Sequence, residues 1–171
     1  VSGVELRARP ILRPGEILET VPGLIATQHS GGGKANQYFL RGFNLDHGTD
    51  FAVSIDDFPV NFLTHGHGQG YLDINGLIPE SVQRVDYRKG PYRADSGDFS
   101  FTGRANISTQ DSLRPFITSE IGQFDYQRYV AGGSWQIGNG ELLGLAQYKH
   151  QDGPWDVPEN FIGFSSFTKY I

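Results

Sequence analysis

The sequence has no cysteine and no methionine among its 171 residues. Without thiolates it can form neither a disulfide framework nor a zinc site with cysteine ligands. Because methionine is absent even from position 1, we expect a processed chain or a piece of a longer protein. No stretch of about 18 consecutive apolar residues is present, so we predict no membrane-spanning helix.

Charge of one sign does not dominate, since 14 basic and 19 acidic residues give a formal net charge of -5. This balance gives no reason to expect nucleic acid as a partner. A content of 37% hydrophobic and 19% charged residues argues against a disordered chain. The 23 glycines and 13% aromatics are typical of strands joined by tight turns. No catalytic constellation can be nominated from one sequence without geometry.

Residues 1–111 are predicted to form a compact α+β unit built from short elements. Pro14 at its start and Pro22-Gly23 after its end predict a two-turn helix over residues 14–21. A turn is indicated at Asp56-Asp57. Short strands are predicted at residues 24–28, 37–41, 51–55, 82–88 and 103–109.

Residues 112–171 have a different pattern, with long strand-like runs at residues 114–122, 127–138 and 140–150. Each approaches the roughly 9–11 residues that a tilted strand needs to cross a bilayer. Alternation of apolar and polar residues is typical of a membrane barrel wall, but a half-buried soluble sheet has the same rhythm, and both interpretations stay open. Asn139-Gly140 predicts a two-residue hairpin turn. In the second run, Tyr129, Ala131, Gly133, Trp135 and Ile137 share one face, and Arg128, Ser134 and Gln136 the other.

Four short segments follow one another between residues 16 and 91. They read Glu-Ile-Leu-Glu-Thr-Val-Pro-Gly-Leu (16–24), Phe-Leu-Arg-Gly (39–42), Val-Ser-Ile-Asp-Asp-Phe-Pro-Val-Asn (53–61) and Val-Gln-Arg-Val-Asp-Tyr-Arg-Lys-Gly-Pro (82–91). In this order they resemble motifs of the plug domain of TonB-dependent receptors, including its Val-Pro-Gly-Val, Ile-Arg-Gly and Pro-Val-Asn elements. Asp57 stands where that family has glycine, which leaves the geometry of this turn open.

The resemblance implies an α+β plug domain with a small mixed sheet over residues 1–111. It also implies antiparallel strands of a truncated transmembrane β-barrel over residues 112–171. Three wall strands cannot close a barrel, so we expect a fragment or a chain completed by another one.

The function that the resemblance implies is that of a receptor in the outer membrane of a Gram-negative bacterium, a transport protein and not an enzyme. Such a receptor binds a scarce ligand, chiefly a ferric siderophore, and imports it with energy from TonB, which grips an N-terminal box expected before Val1. The expected partners are TonB, the imported ligand and outer-membrane lipid, and no cofactor is expected. The alternative is a soluble periplasmic or surface α+β ligand-binding module without a transport role.

Two loops are expected to contact the ligand, namely the first polar loop (residues 44–50) and the second polar loop (residues 62–70). Both follow strands that end in turn signals, and their side chains can hydrogen-bond a polar chelate or pack against it. His65-Gly66-His67 does not by itself fix a third ligand, so we predict no protein-bound metal ion. The predicted ligand-binding residues are Asp46, His47, Phe62, Thr64, His65, His67, Gln69 and Tyr71.

Three arginines are candidates for holding the plug in place. The resemblance suggests that Arg41, Arg84 and Arg88 pair with carboxylates of the wall. Breaking a partly buried pair of this kind leaves an uncompensated charge, which costs about 3–5 kcal/mol. Ordinary solvation at strand ends is the other interpretation of these residues, and it stays open.

Overall fold

The computed structural model describes all 171 residues, which form two compact units. None of the helices combines the length and apolar character that crossing a membrane requires. The first unit comprises Val1–Ser30, Lys34–Asn75 and Val82–Thr109, and the second comprises Gly31–Gly33, Gly76–Ser81 and Gln110–Ile171. The strands are β1 (Leu24–Thr27), β2 (Gln37–Leu40), β3 (Phe43–Asn44), β4 (Phe51–Ile55), β5 (Phe58–Pro59), β6 (Asn61–Phe62), β7 (Tyr71–Leu72), β8 (Val82–Lys89), β9 (Gly103–Thr109), β10 (Phe116–Ile121), β11 (Gln127–Ile137), β12 (Gly140–Gln151) and β13 (Phe161–Tyr170).

The helices are short. One α-helix, α1 (Gly3–Arg7), was not predicted, and it begins with a capping box in which the Glu5 carboxylate accepts the Ser2 amide at 2.8 Å. The predicted two-turn helix is a 3₁₀-helix over Pro14–Thr20. Its end amides bond three residues back, as is common in short helical pieces. Two further 3₁₀ turns cover Pro79–Ser81 and Ala94–Ser96.

The main sheet of the first unit is mixed, with the strand order β5-β4-β9-β8. β4 pairs in parallel with β9, and β8 pairs antiparallel with β9. The bounds predicted for β4 and β9 match the structure, and those of β1, β2 and β8 differ by one residue. Phe51, Val85 and Ile107 are fully buried and form part of the core. The predicted α+β fold with a small mixed sheet is therefore confirmed.

The turn at Asp56-Asp57 joins β4 to β5 with both residues at positive φ, +46° and +66°. This is the backbone of a type I′ hairpin turn, which aspartate tolerates because its short side chain hydrogen-bonds locally. The Asp56 carboxylate accepts the Thr109 amide at 2.8 Å, and the Asp57 amide donates to Asn106 Oδ1 at 3.1 Å. The missing glycine thus leaves the hairpin geometry intact.

The second unit is a four-stranded antiparallel sheet with the order β10-β11-β12-β13. Three of its strands were predicted to within two residues, whereas β13 was not predicted. The predicted Asn139-Gly140 turn is wrong by one residue, because Ile137 pairs with Gly140 and leaves Gly138-Asn139 as the turn. Gly138 has φ +61° in the first central position, which is where a type II′ turn requires glycine.

The two faces of this sheet differ in burial. One face packs Val130, Leu143 and Leu145 against Ile78 in a buried apolar cluster. The opposite face carries the predicted apolar row of β11, and Trp135 on it is 51% exposed. The two-residue alternation predicted for β11 is present, but the buried face also carries the polar side chains of Arg128 and Gln147 beside the apolar cluster.

Candidate functional site

The two polar loops are tied together by one buried amide. Asn61 Nδ2 donates to the carbonyl oxygens of Gly48, Phe51 and Gly70 at 3.2, 3.1 and 3.0 Å. Asn61 Oδ1 accepts the Val53 amide at 2.7 Å. Gly48 lies in the first polar loop and Gly70 ends the second, so this single side chain sets the separation of the two loops.

Three of the five histidines of the chain lie in these loops, and a fourth, His29, contacts them from outside. Nε2 of His29 lies 3.1 Å from Nε2 of His47, and the His47 and His67 ring centroids are 4.6 Å apart. Asp46 lies between two of the rings, with carboxylate oxygens 3.7 Å from His47 Nε2 and 3.6 Å from His67 Nε2. We call His29, Asp46, His47 and His67 the histidine cluster.

His47 is the buried member of the cluster, with 2% of its surface exposed. Its Nδ1 lies 3.0 Å from the carbonyl oxygen of Asn36, which can only accept, so Nδ1 carries the proton. The Nε2 lone pair therefore faces the other members of the cluster. Burial lowers the pKa of His47, and the Asn36 carbonyl and Asp46 offset this only in part. The ring is consequently neutral at pH 7.

Aromatic rings lie beside the cluster. The His65 ring stacks on Tyr71 with centroids 4.0 Å apart, and the Phe62 ring lies nearly parallel to it at 6.0 Å. Tyr71 also lies 5.4 Å from His47 and 5.8 Å from His67. These rings give the site a flat apolar surface next to its nitrogen and carboxylate groups.

The structure brings most of the predicted ligand-binding residues together. The ring contacts and close charged pairs described above link six of them in one group: Asp46, His47, Phe62, His65, His67 and Tyr71. Thr64 and Gln69 lie in the second polar loop, but neither side chain hydrogen-bonds to the cluster, and only the Gln69 carbonyl is used, by Thr49. The sequence prediction missed His29, which lies outside both loops, and the only available signal was its residue type.

The three candidate locking arginines are exposed in the first unit. Arg84 pairs with Asp86 at 2.7 Å and Arg88 with Asp95 at 3.0 Å, while Arg41 forms no ion pair. These contacts agree with solvated strand ends. Pairing with wall carboxylates stays a prediction.

The buried arginine of the chain is instead Arg128, on the polar face of β11. Its guanidinium binds both carboxylate oxygens of Glu80, at 2.9 and 2.6 Å, and one oxygen of Glu120 at 2.9 Å. Its Nε donates to Gln147 Oε1 at 2.7 Å. All four side chains belong to the second unit. The sequence placed Arg128 on the correct face but did not indicate its partners.

The lowered pKa of His47 predicts a pH dependence of the polar loops. An unfolded histidine titrates near pH 6.5, and the folded pKa lies below that value. Between the two values the unfolded chain binds a proton that the folded one does not, so stability is full above about pH 6.5 and falls as pH drops through the folded pKa. The groups facing His47 that enter this balance are Asp46, His67, His29 and Lys34.

The measurement is hydrogen exchange of the polar loops between pH 7.5 and 5, corrected for the intrinsic pH dependence of exchange. The Leu72 amide, which donates to the His47 carbonyl, should lose protection as pH falls. A His47→Gln variant should remove this pH dependence. Equal pH profiles for the two proteins would contradict the assignment to His47.

Comparison with known proteins agrees with this architecture. A family model described as TonB-dependent Receptor Plug Domain matches residues 1–103. The ferric yersiniabactin uptake receptor from Yersinia pestis is 23% identical with a TM-score of 0.66, over 98% of this chain and 27% of that one. The siderophore receptor PirA from Pseudomonas aeruginosa is 19% identical with a TM-score of 0.62, over 98% of this chain and 31% of that one.

The FrpB iron transporter from Neisseria meningitidis is 18% identical with a TM-score of 0.65, over 88% of this chain and 23% of that one. At these identities the likeness to solved structures is a likeness of fold. The chain spans roughly a quarter of the length of the structures that it matches.

Proposed function

Because this chain belongs to the TonB-dependent receptor plug domain family, we propose that it is part of an outer-membrane import receptor of a Gram-negative bacterium. Residues 1–111 act as the plug and residues 112–171 as the first strands of the wall. The cargo is a ferric siderophore or a similar polar chelate, and import draws energy from TonB. The family is one of receptors and transporters, which supports a role in transport over one in catalysis.

The exposed face of the four-stranded sheet supports the proposal that residues 112–171 lie in the outer membrane as wall strands. Tyr129, Tyr148 and Phe164 form a row across three strands, with ring centroids 6.3 and 5.1 Å apart. Trp135 on β11 is paired with Leu142 on β12. This pair marks a second row, six residues beyond Tyr129 along β11. At about 3.3 Å per residue the two rows are roughly 20 Å apart. An apolar band about 25 Å tall between aromatic girdles is typical of outer-membrane barrels.

The same face argues against the soluble alternative. Ile117, Ile121 and Phe164 are 85%, 78% and 79% exposed. A soluble protein that presented a contiguous apolar face of this kind to water would be prone to aggregate. Contact with lipid removes this penalty, which favours the receptor over a soluble binding module.

The polar loops support a role in contacting a chelate. Asp46, His65 and His67 are exposed and offer a carboxylate and two imidazoles, while Phe62 and Tyr71 offer ring surfaces. Polar groups that fix orientation beside apolar groups that supply contact area are the usual composition of a small-molecule site.

The experiment measures uptake of radioactive iron into cells that produce the full-length receptor. Catecholate, phenolate and hydroxamate ferric siderophores serve as probes, and cells lacking TonB serve as the control. We expect TonB-dependent uptake of at least one probe. Combined substitution of His65, His67 and Gln69 by alanine should weaken binding of that probe about 10-fold, with expression intact, because it removes about 1.4 kcal/mol or more of contact energy.

Arg84→Ala is the matched variant for plug retention. We expect it to increase leak of small solutes while probe binding is kept, because Arg84 lies outside the polar loops. If the triple variant binds normally and Arg84→Ala does not bind, the two roles have been assigned the wrong way round. Absence of TonB-dependent uptake for every probe would overturn the proposed cargo.

A further inference from the structure

We propose that the histidine cluster is a binding site for a divalent transition-metal ion of the zinc, nickel or copper class. The inference deepens the proposed function by naming a cargo class. The claim that the ion is cargo rests on the proposed import role. The claim that the cluster binds an ion rests only on the geometry of the cluster.

The spacing of the donor atoms matches that of ligands around one ion. The Nε2 atoms of His29 and His47 lie 3.1 Å apart. Two nitrogens bound to a tetrahedral zinc ion at about 2.0–2.1 Å are separated by roughly 3.3 Å. Asp46, His47 and His67 each offer a ligand atom, and these three atoms lie within 4.8 Å of one another. Asp46, His47 and His67 thus supply two nitrogens and a carboxylate as one candidate ligand set, and His29 adjoins this set through its contact with His47 Nε2.

His47 is oriented as a metal ligand. A ligating imidazole characteristically donates its other ring N–H to a carbonyl or carboxylate, which fixes the tautomer and the ring plane. In His47 this bond goes from Nδ1 to the Asn36 carbonyl at 3.0 Å. An ion held with Asp46 and His67 satisfies the His47 Nε2 lone pair, which otherwise meets His29 Nε2 at 3.1 Å with a single proton between the two nitrogens.

The donor set selects the class of ion. Imidazole suits zinc, copper and nickel, whereas magnesium and calcium prefer all-oxygen sites. The chain has no thiolate or thioether that would favour cuprous copper. A ferric siderophore that fills all coordination positions of its iron leaves none for protein nitrogens. This site therefore fits a bare ion or a complex with open coordination positions. The sequence prediction of no protein-bound metal weighed His65-Gly66-His67 with His47 and Asp73, and it did not include Asp46 as a ligand.

A second group that could hold an ion lies in the other unit and supplies the control. Asp125, His150 and Asp152 also place their ligand atoms within 4.8 Å of one another. His150→Gln is therefore a histidine change of the same kind at a different candidate site. The test variants are His29→Gln and His67→Gln, whose rings are exposed and whose loss leaves the buried His47 in place.

The experiment is calorimetric titration of the purified, chelator-stripped full-length receptor in detergent with Zn²⁺, Ni²⁺ and Cu²⁺, with Mg²⁺ for comparison. We expect one tight site for a transition ion and none for Mg²⁺. His29→Gln and His67→Gln should each weaken it about 10- to 100-fold, while His150→Gln retains it. Unchanged affinity in both test variants, or loss only in His150→Gln, would overturn the inference, as would the absence of binding in the unaltered receptor.

The outcomes for the cargo and for the site can be told apart. Metal binding that depends on His29 and His67, together with no TonB-dependent siderophore uptake, would retain the site and overturn the ferric siderophore as cargo. Siderophore uptake without metal binding would retain the import role and overturn the site.

Discussion

Replacing Arg128 with methionine is expected to lower the free energy of unfolding of the full-length receptor by about 3–5 kcal/mol. The guanidinium is buried and forms a bidentate pair with Glu80 and a further bond to Glu120. Methionine keeps much of the volume but supplies no donor. Two partly buried carboxylates are then left facing the same place without a cation, and Gln147 loses a partner as well.

The matched control is Arg93→Met, which removes an arginine from an exposed pair and is not a candidate locking residue. Arg93 and Asp95 are 65% and 55% exposed, and exposed pairs contribute about 0–1 kcal/mol. Both variants are compared by denaturant unfolding in detergent, followed by tryptophan fluorescence. Adding Glu80→Gln and Glu120→Gln to Arg128→Met should recover part of the loss, because the uncompensated charges disappear. Equal losses for Arg128→Met and Arg93→Met would contradict the role of burial.

The elements of the first unit could be predicted where short runs end in strong turn signals. β4 and β9 were predicted residue for residue because Asp56-Asp57 and Gly103 mark their ends. The β11–β12 turn was missed by one residue because Gly-Asn-Gly contains two overlapping turn dipeptides. Only the pairing of Ile137 with Gly140 selects between them.

β13 could not be predicted because both of its faces mix apolar and polar residues. Phe164 and Thr168 share one face, and Phe167 and Lys169 share the other. Apolar and polar residues of β13 therefore do not separate onto opposite faces, which is the pattern that identified β11. The strand forms because it pairs with the edge of β12. This pairing depends on the rest of the sheet and cannot be predicted from residues 161–170 alone.

The site was predicted in part for a similar reason. The polar loops are rich in polar and aromatic side chains, which are typical of binding sites, and those residues were predicted from the sequence. His29 lies 18 positions before His47, and Glu80 lies 48 positions before Arg128. Contacts of this separation depend on the path of the chain between them, so residue type and local spacing do not reveal them. The resemblance therefore suggested a locking role for exposed arginines, whereas the buried arginine that pairs with two carboxylates is Arg128.

Asn61→Ala is the second change for which we expect a large loss, about 2–4 kcal/mol in the free energy of unfolding. Asn61 is buried, and its amide serves three carbonyl oxygens and one backbone amide. Leaving a buried polar group without a partner costs about 1–3 kcal/mol, and the alanine variant leaves more than one. Asn44→Ala is the control, since Asn44 is exposed and accepts only the Asp46 amide and the Gln37 side chain.

Asn61→Asp separates the hydrogen-bond role from packing, because it keeps the shape and replaces both amide donors with a carboxylate oxygen. That oxygen then faces the carbonyls of Gly48, Phe51 and Gly70, so the loss should be at least as large as for alanine. Since Asn61 sets the separation of the two polar loops, both variants should also raise hydrogen exchange across these loops. A stable Asn61→Asp variant with unchanged loop protection would show that strand pairing of Asn61 with Leu72 is sufficient to hold the loops. The amide would then have no part in assembling the histidine cluster.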